Sequence, residues 1–383
     1  MYRSPAMILR KLRLTLLAAW ATLALAPTLS AQGDRLAPAP EPRLELEEVE
    51  DLVQMHGIQA MESKRAAGYG IAVGIDGVLV YETGLGLADL ELEVPVTTES
   101  VFRIGSITKQ FTAAYAMRLI EASQLSLDTP INKYLSFPLQ GQEVTLCHLL
   151  NHTSGIPSYT AQGAEWMRAV PLELEHDQLL GLVSGKPFDF APGTQFLYNN
   201  TGYYLLGMLL EQVAGSPYQE LISKQLCGPL GLGIRYDSNT EIIPHRAQGY
   251  AAGRSGLEND KQFGVSQPGA AGALLSTAAD LVRWAHLLQA GKVVSSKSYE
   301  AMCTPTKLSD DSQRPYGYGL SIDDLGGERR VGHGGGIFGF NSILNTYPDA
   351  GLVVCVLSNS EAASAARLEQ SISQSLLAVL ARE

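Results

Sequence analysis

Three short motifs along the 383-residue chain carry residue types able to break an acyl bond. The first is Ser106-Ile107-Thr108-Lys109. Positions i and i+3 share a helix face, so a helix opening at Ser106 would set the lysine amine beside the serine hydroxyl. The unpaired N–H groups of that first turn favour negative charge. A serine hydroxyl needs a base before it attacks, and a lysine serves only where burial or nearby positive charge lowers its pKa. Taken alone, a capping serine followed by a surface lysine reads the same way.

The second motif is Tyr198-Asn199-Asn200, after the loop Ala191-Pro192-Gly193-Thr194. A tyrosinate there would accept the serine proton and return it to the leaving group. An unperturbed phenol has a pKa of about 10, so it would need a cation nearby, and Lys109 is the candidate. Asn200 would offer an amide to substrate. The plainer reading is an aromatic core residue at a helix start. The third motif is Gly332-His333-Gly334-Gly335-Gly336. Glycine lets a strand approach a ligand closely, and a backbone N–H there would face a developing oxyanion. A flexible loop competes with this reading, but the run lies between two strand patterns.

The elements that must hold these motifs follow from periodicity. A helical pattern runs from about Leu44 to Ala66. Ile71 to Ile75 and Val78 to Tyr81 flank Asp76-Gly77, a strong hairpin signal. From Ser106 to Ala122 the residues Phe111, Tyr115, Leu119 and Ala122 recur at helical spacing. Thr201 to Ala214 and Thr277 to Ala290 are further helices, the second opening on a capping sequence at Ser276-Thr277. Tyr318 to Ile322, Phe340 to Tyr347 and Leu352 to Leu357 read as strands, with a turn at Pro348-Asp349-Ala350-Gly351 and a closing helix from about Ala362 to Leu380.

Strands at both ends with helices between predict an α+β fold: an antiparallel sheet formed by both chain ends and flanked by helices, with a mostly helical inserted domain. The expected division is a signal peptide over residues 1–31, a linker and first helix over 32–67, and one domain over 68–383. Its sheet region would cover about 68–105 and 261–383, and its helical region about 106–260. The export signal rests on Arg3, Arg10, Lys11 and Arg13 ahead of the apolar stretch Leu14 to Ala26, with small residues near Ala31 for cleavage. A periplasmic or secreted location is therefore expected, with no stable membrane span once the signal is removed.

In that order, on helix, loop and strand, Ser-x-x-Lys, Tyr-x-Asn and His-Gly-Gly resemble the serine β-lactamase and penicillin-binding-protein superfamily. The resemblance is closest to its class C-like branch of β-lactamases, D-stereospecific peptidases and esterases. Connecting text agrees: Phe102-Arg103-Ile104-Gly105, His148 to Gly155, Tyr198 to Gly207 and Gly272 to Asp280. The resemblance implies a β-lactamase-like fold with Ser106 as acylated nucleophile and Lys109 and Tyr198 as its proton-transfer pair. It further implies Asn200, His333, Gly334 and Gly335 at the substrate, an oxyanion hole from the backbone N–H groups of Ser106 and Gly336, and no metal or cofactor.

The activity so implied is a serine hydrolase acting on a small ester, peptide or β-lactam-like molecule, of esterase or D-amino-acid peptidase type. The alternatives are a class C-like β-lactamase, or a penicillin-binding-type protein that holds cell-wall peptides with little turnover. Many β-lactamases of this branch carry Lys-Thr-Gly where this chain has His333-Gly334-Gly335. Losing the lysine charge and threonine hydroxyl, which help hold a β-lactam carboxylate, tilts the expectation toward esters or peptides. Choice of acyl group would fall to loops around Tyr159, Trp166 and Phe338.

Composition narrows the field further. A net charge of -11 gives a nucleic-acid partner no electrostatic support. The cysteines Cys147, Cys227, Cys303 and Cys355 allow three disulfide pairings, but Cys147 and Cys355 sit in apolar runs that suit buried thiols. His148 and His152 are spaced as zinc ligands on a helix, yet no third ligand accompanies them, so packing or helix-end roles are expected. Gly334 to Gly339 fits a dinucleotide fingerprint but precedes a strand pattern, not a helix. His333 to Gly336 is also like a lipase oxyanion loop, but no G-x-S-x-G elbow follows.

Overall fold

The computed structural model describes residues 43–382; the expected signal peptide and the linker up to Pro42 lie outside the described residues. Asp76 and Gly77 have φ of +49° and +85°. Two successive positive values let a two-residue turn match the twist of its strands, and the pair joins β1 (Gly68–Ile75) to β2 (Val78–Asp89). A short β3 (Val94–Pro95) follows. The remaining strands come from the other end of the chain: β4 (Ser321–Leu325), β5 (Glu328–Ile337), β6 (Phe340–Tyr347) and β7 (Leu352–Ser358). Their order across the seven-stranded sheet is β4-β5-β6-β7-β1-β2-β3. The two chain ends meet where β1 pairs antiparallel with β7, Tyr69 opposite Ser358 and Ile75 opposite Leu352. This is the expected sheet.

Side chains alternate across the pleat, so each strand feeds two cores. Ile71, Val73, Ile75, Val354 and Val356 pack with Val49 and Val53 of helix Leu46–Glu62 and with Ile372 and Leu376 of helix Ala365–Leu380. Ala72, Val353, Cys355 and Leu357 face the other core. There Phe111, on helix Thr108–Glu121, stacks on Trp284 at 4.0 Å between ring centroids. Trp284 belongs to helix Ala278–Gln289, whose cap Thr277 accepts the Asp280 N–H at 3.1 Å. The sheet is thus a middle layer between helices.

Several element boundaries differ from the sequence expectation: the first helix, expected from about Leu44 to Ala66, spans Leu46–Glu62, and the strand expected at Val78 to Tyr81 runs on to Asp89. The strand predicted at Tyr318 to Ile322 is found at Ser321–Leu325. Gly319 has φ of +73°, and the Gly317 N–H is taken by Leu320 O, so residues 317–320 turn before the strand can begin. The closing helix begins at Ala365, not Ala362. All four cysteines are free thiols. Among the described residues no helix is long and apolar enough to cross a membrane.

A second, three-stranded sheet pins the segments that flank Ser106 and Ala271. Its order is Phe102–Arg103, Leu274–Ser276, Arg235–Tyr236. It fixes the residues just before Ser106 against the segment just after Ala271: Ile104 N donates to Leu274 O at 3.1 Å, and Leu274 N to Thr108 Oγ1 at 3.2 Å.

Candidate active site

Ser106 lies in the 3-10 turn Gly105–Ile107, which runs into helix Thr108–Glu121. Gly105 has φ of +50°, and a Cβ on it would meet Gly336 N at 3.0 Å. Glycine is needed there for both reasons. The same approach brings the Gly336 amide of β5 against the residue preceding Ser106. β5 also comes close through Gly335, where a Cβ would fall 2.0 Å from Ile104 O and 2.2 Å from Ser342 Oγ. Gly335 therefore admits the turn that carries Ser106, and Gly336, with open space at its Cβ position, lines the cavity over it. Ser106 and Gly336 line the same cavity.

Lys109 sits one turn along from Ser106 and is completely buried. Its Nζ lies 3.0 Å from Ser106 Oγ, 2.9 Å from Asn200 Oδ1 and 2.8 Å from Ala271 O. Burial pushes its pKa well below the ordinary value of 10.5. The next turn is fixed by Thr112, whose Oγ1 donates to Ala270 O at 2.7 Å and thereby holds the Ala271 carbonyl's segment in place.

Tyr198 immediately precedes helix Asn200–Ala214, capped by Asn199 Oδ1 on Gly202 N at 2.8 Å. The Asn199 N–H in turn donates to His152 Nδ1 at 3.1 Å, and the His152 ring lies against Tyr198 at 4.3 Å between centroids. Lys109 Nζ is 4.7 Å from the Tyr198 ring centroid. Burial raises the Tyr198 phenol above its usual value of 10, with interaction with Ser106 acting in the opposite direction. The residue keeps 37% of its surface, so it is less enclosed than the buried Tyr203 and Tyr316 beside it. The direction opposes the tyrosinate expected from sequence: burial keeps Tyr198 protonated and Lys109 inclined to lose its proton.

A match to the family model described as Beta-lactamase extends over residues 56–376. The chain belongs to the β-lactamase family of serine hydrolases. It is 29% identical over 302 residues to a penicillin-binding protein of Bacillus subtilis (strain 168), covering 74% of this chain and 66% of that one. It is 27% identical over 307 residues to a D-aminopeptidase of Brucella ovis, covering 78% of this chain and 57% of that one. The chain thus spans less than two thirds of the length of either relative. The solved octameric penicillin-binding protein homologue from Pyrococcus abyssi is 31% identical with a TM-score of 0.76, covering 88% of this chain and 78% of that chain.

The remaining residues of this β-lactamase-family site divide between its wall and its support. Asn200 Oδ1 is taken by Lys109, and its Nδ2 donates to Thr160 Oγ1 at 3.2 Å. His333 is buried, with both ring nitrogens engaged inside the protein: Nδ1 donates to Gly334 O, and Nε2 accepts the Tyr316 O–H at 3.0 Å. Burial, reinforced by Lys109, pushes its pKa down to about 3. A neutral, internally bonded imidazole supports the ring of Tyr198, 5.9 Å away; it offers no charge to a substrate. Gly334 is exposed on β5, opposite Ile343.

A cavity of about 370 Å³ opens over Ser106, Asn200 and Gly336. Tyr159, Trp166 and Phe338, the residues singled out in sequence for acyl choice, all line it, joined by Met167, Phe263 and Ile337. A larger cavity of about 920 Å³, bordered by Tyr204, Tyr218 and Tyr236, lacks the nucleophile. Among the described residues no cluster of His, Cys, Asp or Glu is arranged to hold a metal ion. Residue types alone did not reveal Tyr316, Thr160 or the Ala271 carbonyl, since each acts by position. His152 has the packing role expected of it, but against Tyr198, and its buried Nε2 lacks a partner among the described residues.

Proposed function

We propose that this chain, after export, hydrolyses esters or amides of small acyl groups through an acyl-Ser106 intermediate. The observation that carries the reading is the set of three partners around Lys109 Nζ. Asn200 Oδ1 and Ala271 O can only accept hydrogen bonds. In its neutral form the amine would satisfy both with its two N–H bonds and turn its lone pair to the third partner, the Ser106 hydroxyl, whose Oγ lies 3.0 Å away. Burial favours that neutral form. The amine is thus poised to take the serine proton as Oγ bonds to the substrate carbonyl carbon.

The carbonyl oxygen, gaining negative charge, would be held by the Ser106 and Gly336 amides. Collapse of the tetrahedral adduct breaks the bond to the leaving alcohol or amine, which takes a proton from the Tyr198 phenol; the proton on Lys109 replaces it. Water then attacks the acyl-enzyme, gives its proton back through the same pair, and releases the acid. One ester or amide and one water become one acid and one alcohol or amine, with every proton returned.

The aromatic walls favour an apolar acyl substituent. The buried, internally bonded His333 argues against anchoring a β-lactam carboxylate at the third motif. Intact-mass spectrometry decides between these substrates. Brief mixing with a short-chain aryl ester should leave a transient acyl adduct on wild type and none on Ser106→Ala. An adduct from a cephalosporin alone would favour the β-lactamase alternative, and a stable adduct without turnover the penicillin-binding one. Equal hydrolysis by wild type and Ser106→Ala would overturn the assignment.

A further inference from the structure

Glu361 is the single charged residue lining the cavity that contains Ser106. The other walls are aromatic, aliphatic or neutral polar. Glu361 is exposed at this otherwise uncharged, aromatic cavity, where its carboxylate favours a cationic over a neutral group. Its backbone is fixed: the Glu361 N–H donates to Tyr250 O at 3.0 Å, and the neighbouring Ser360 is fully buried, its Oγ accepting the Ala67 N–H at 2.8 Å. Among the described residues no cationic side chain is within ion-pair distance of Glu361.

A second carboxylate, Asp260, interacts with Glu361. Asp260 Oδ1 accepts the Lys261 N–H at 2.7 Å, while its buried Oδ2 has no partner among the described residues. Burial raises the Asp260 pKa, and Glu361 raises it further. Arg103 and Lys261 temper this, but the Arg103 guanidinium is committed to Asp237 at 2.7 Å and lies behind the Phe263 ring. The rings of Trp166, Phe263 and Phe338 are themselves suited to a cation, since an aromatic face attracts positive charge.

Position says which half of the substrate is read. Tyr198, the proposed proton donor to the leaving group, is not among the residues lining this cavity, whereas Gly336 and Asn200 are. The cavity therefore receives the acyl half. We propose that Glu361 selects acyl groups in which an aliphatic or aromatic segment ends in a cationic ammonium. This rests on the acyl-Ser106 reading and adds the charge of the substrate to it.

The test compares two p-nitrophenyl esters of matched length, one aminohexanoyl and one heptanoyl, on wild type, Glu361→Gln and Glu361→Lys. The cationic-to-neutral ratio of kcat/KM should fall about three- to tenfold in Glu361→Gln, and further in Glu361→Lys. An unchanged ratio across all three would overturn the proposal while leaving Ser106 in place. If Ser106→Ala matched wild type on the heptanoyl ester, the acyl-Ser106 reading itself would fail. Calorimetry of hexylamine against hexanol on Ser106→Ala, with and without Glu361→Gln, then tests the charge alone. Tighter hexylamine binding that depends on Glu361 supports it, and equal affinity overturns it.

Discussion

Lys109 Nζ and Ser106 Oγ are 3.0 Å apart in a pocket that fully encloses the lysine. An ammonium buried there has no carboxylate to balance it, only two carbonyl oxygens and a hydroxyl. The cost of that charge lowers the amine's pKa, which suits the base role proposed for it. Replacing Lys109 by Met should lower kcat by about 10²-fold or more while leaving the chain folded. Steady-state kinetics beside circular dichroism checks this; undiminished kcat would exclude the base role.

The same burial fixes two pH trends. Activity rises as Lys109 deprotonates, so the acidic limb of kcat/KM should have its midpoint well below 10.5. The stability trend follows by linkage: a base whose folded pKa is depressed binds its proton better when unfolded, so stability rises with pH up to the unfolded value. Chemical denaturation of wild type and Lys109→Met across pH should show that rise in wild type and a flatter curve in the variant.

Tyr198→Phe removes the proposed donor to the leaving group. The loss should reach about 10²-fold on alkyl esters, which depart as poor leaving groups. It should be much smaller on nitrophenyl esters, whose leaving group departs without a proton. Rates on the two substrate classes, compared within one variant, separate this role from simple misfolding.

Gly335 and Gly336 are adjacent yet should respond oppositely to a methyl group. Gly335→Ala drives a Cβ against Ile104 O and Ser342 Oγ, displacing β5 from the nucleophile turn. A lowered melting temperature and loss of acylation are expected. At Gly336 the methyl meets nothing within 4 Å. Gly336→Ala should melt near wild type. Thermal melts of both variants test the contrast.

His333 should stay neutral across the working pH range, because its pKa is pushed down to about 3. Its C2 proton resonance should not shift between about pH 5 and pH 8, where a free imidazole titrates. Tyr316→Phe strands His333 Nε2 without its donor and should cost about 1–3 kcal/mol of stability. Denaturant melts measure that cost.

Much of this architecture could be read in advance, for identifiable reasons. Asp76-Gly77 announced its hairpin because few other dipeptides tolerate two positive φ values. Ser106 and Lys109 could be paired because three residues separate neighbours on one helix face. The start of β4 was misplaced because the turn at Gly319 arises from contacts with a distant part of the chain, where the Tyr318 N–H meets Met302 O. Tyr316 and the Ala271 carbonyl were invisible for a related reason: a phenol or a carbonyl becomes functional only through what the fold puts next to it. His333 looked like a substrate contact from its motif, and its enclosure by Tyr316 and Tyr198 gives it a supporting place instead.

The pairing of Tyr69 with Ser358 spans 289 positions (358 minus 69). Such distant partners make closure of the central sheet a late event, since the entropy of a long loop must be overcome before the contact returns anything. A nascent chain that has emerged only as far as Gly336 already contains all three motifs. It has neither β6 nor β7, so nothing holds Gly336 in register with Ser106. Assembly of the proposed site therefore waits on strands that lie far along the chain from Ser106.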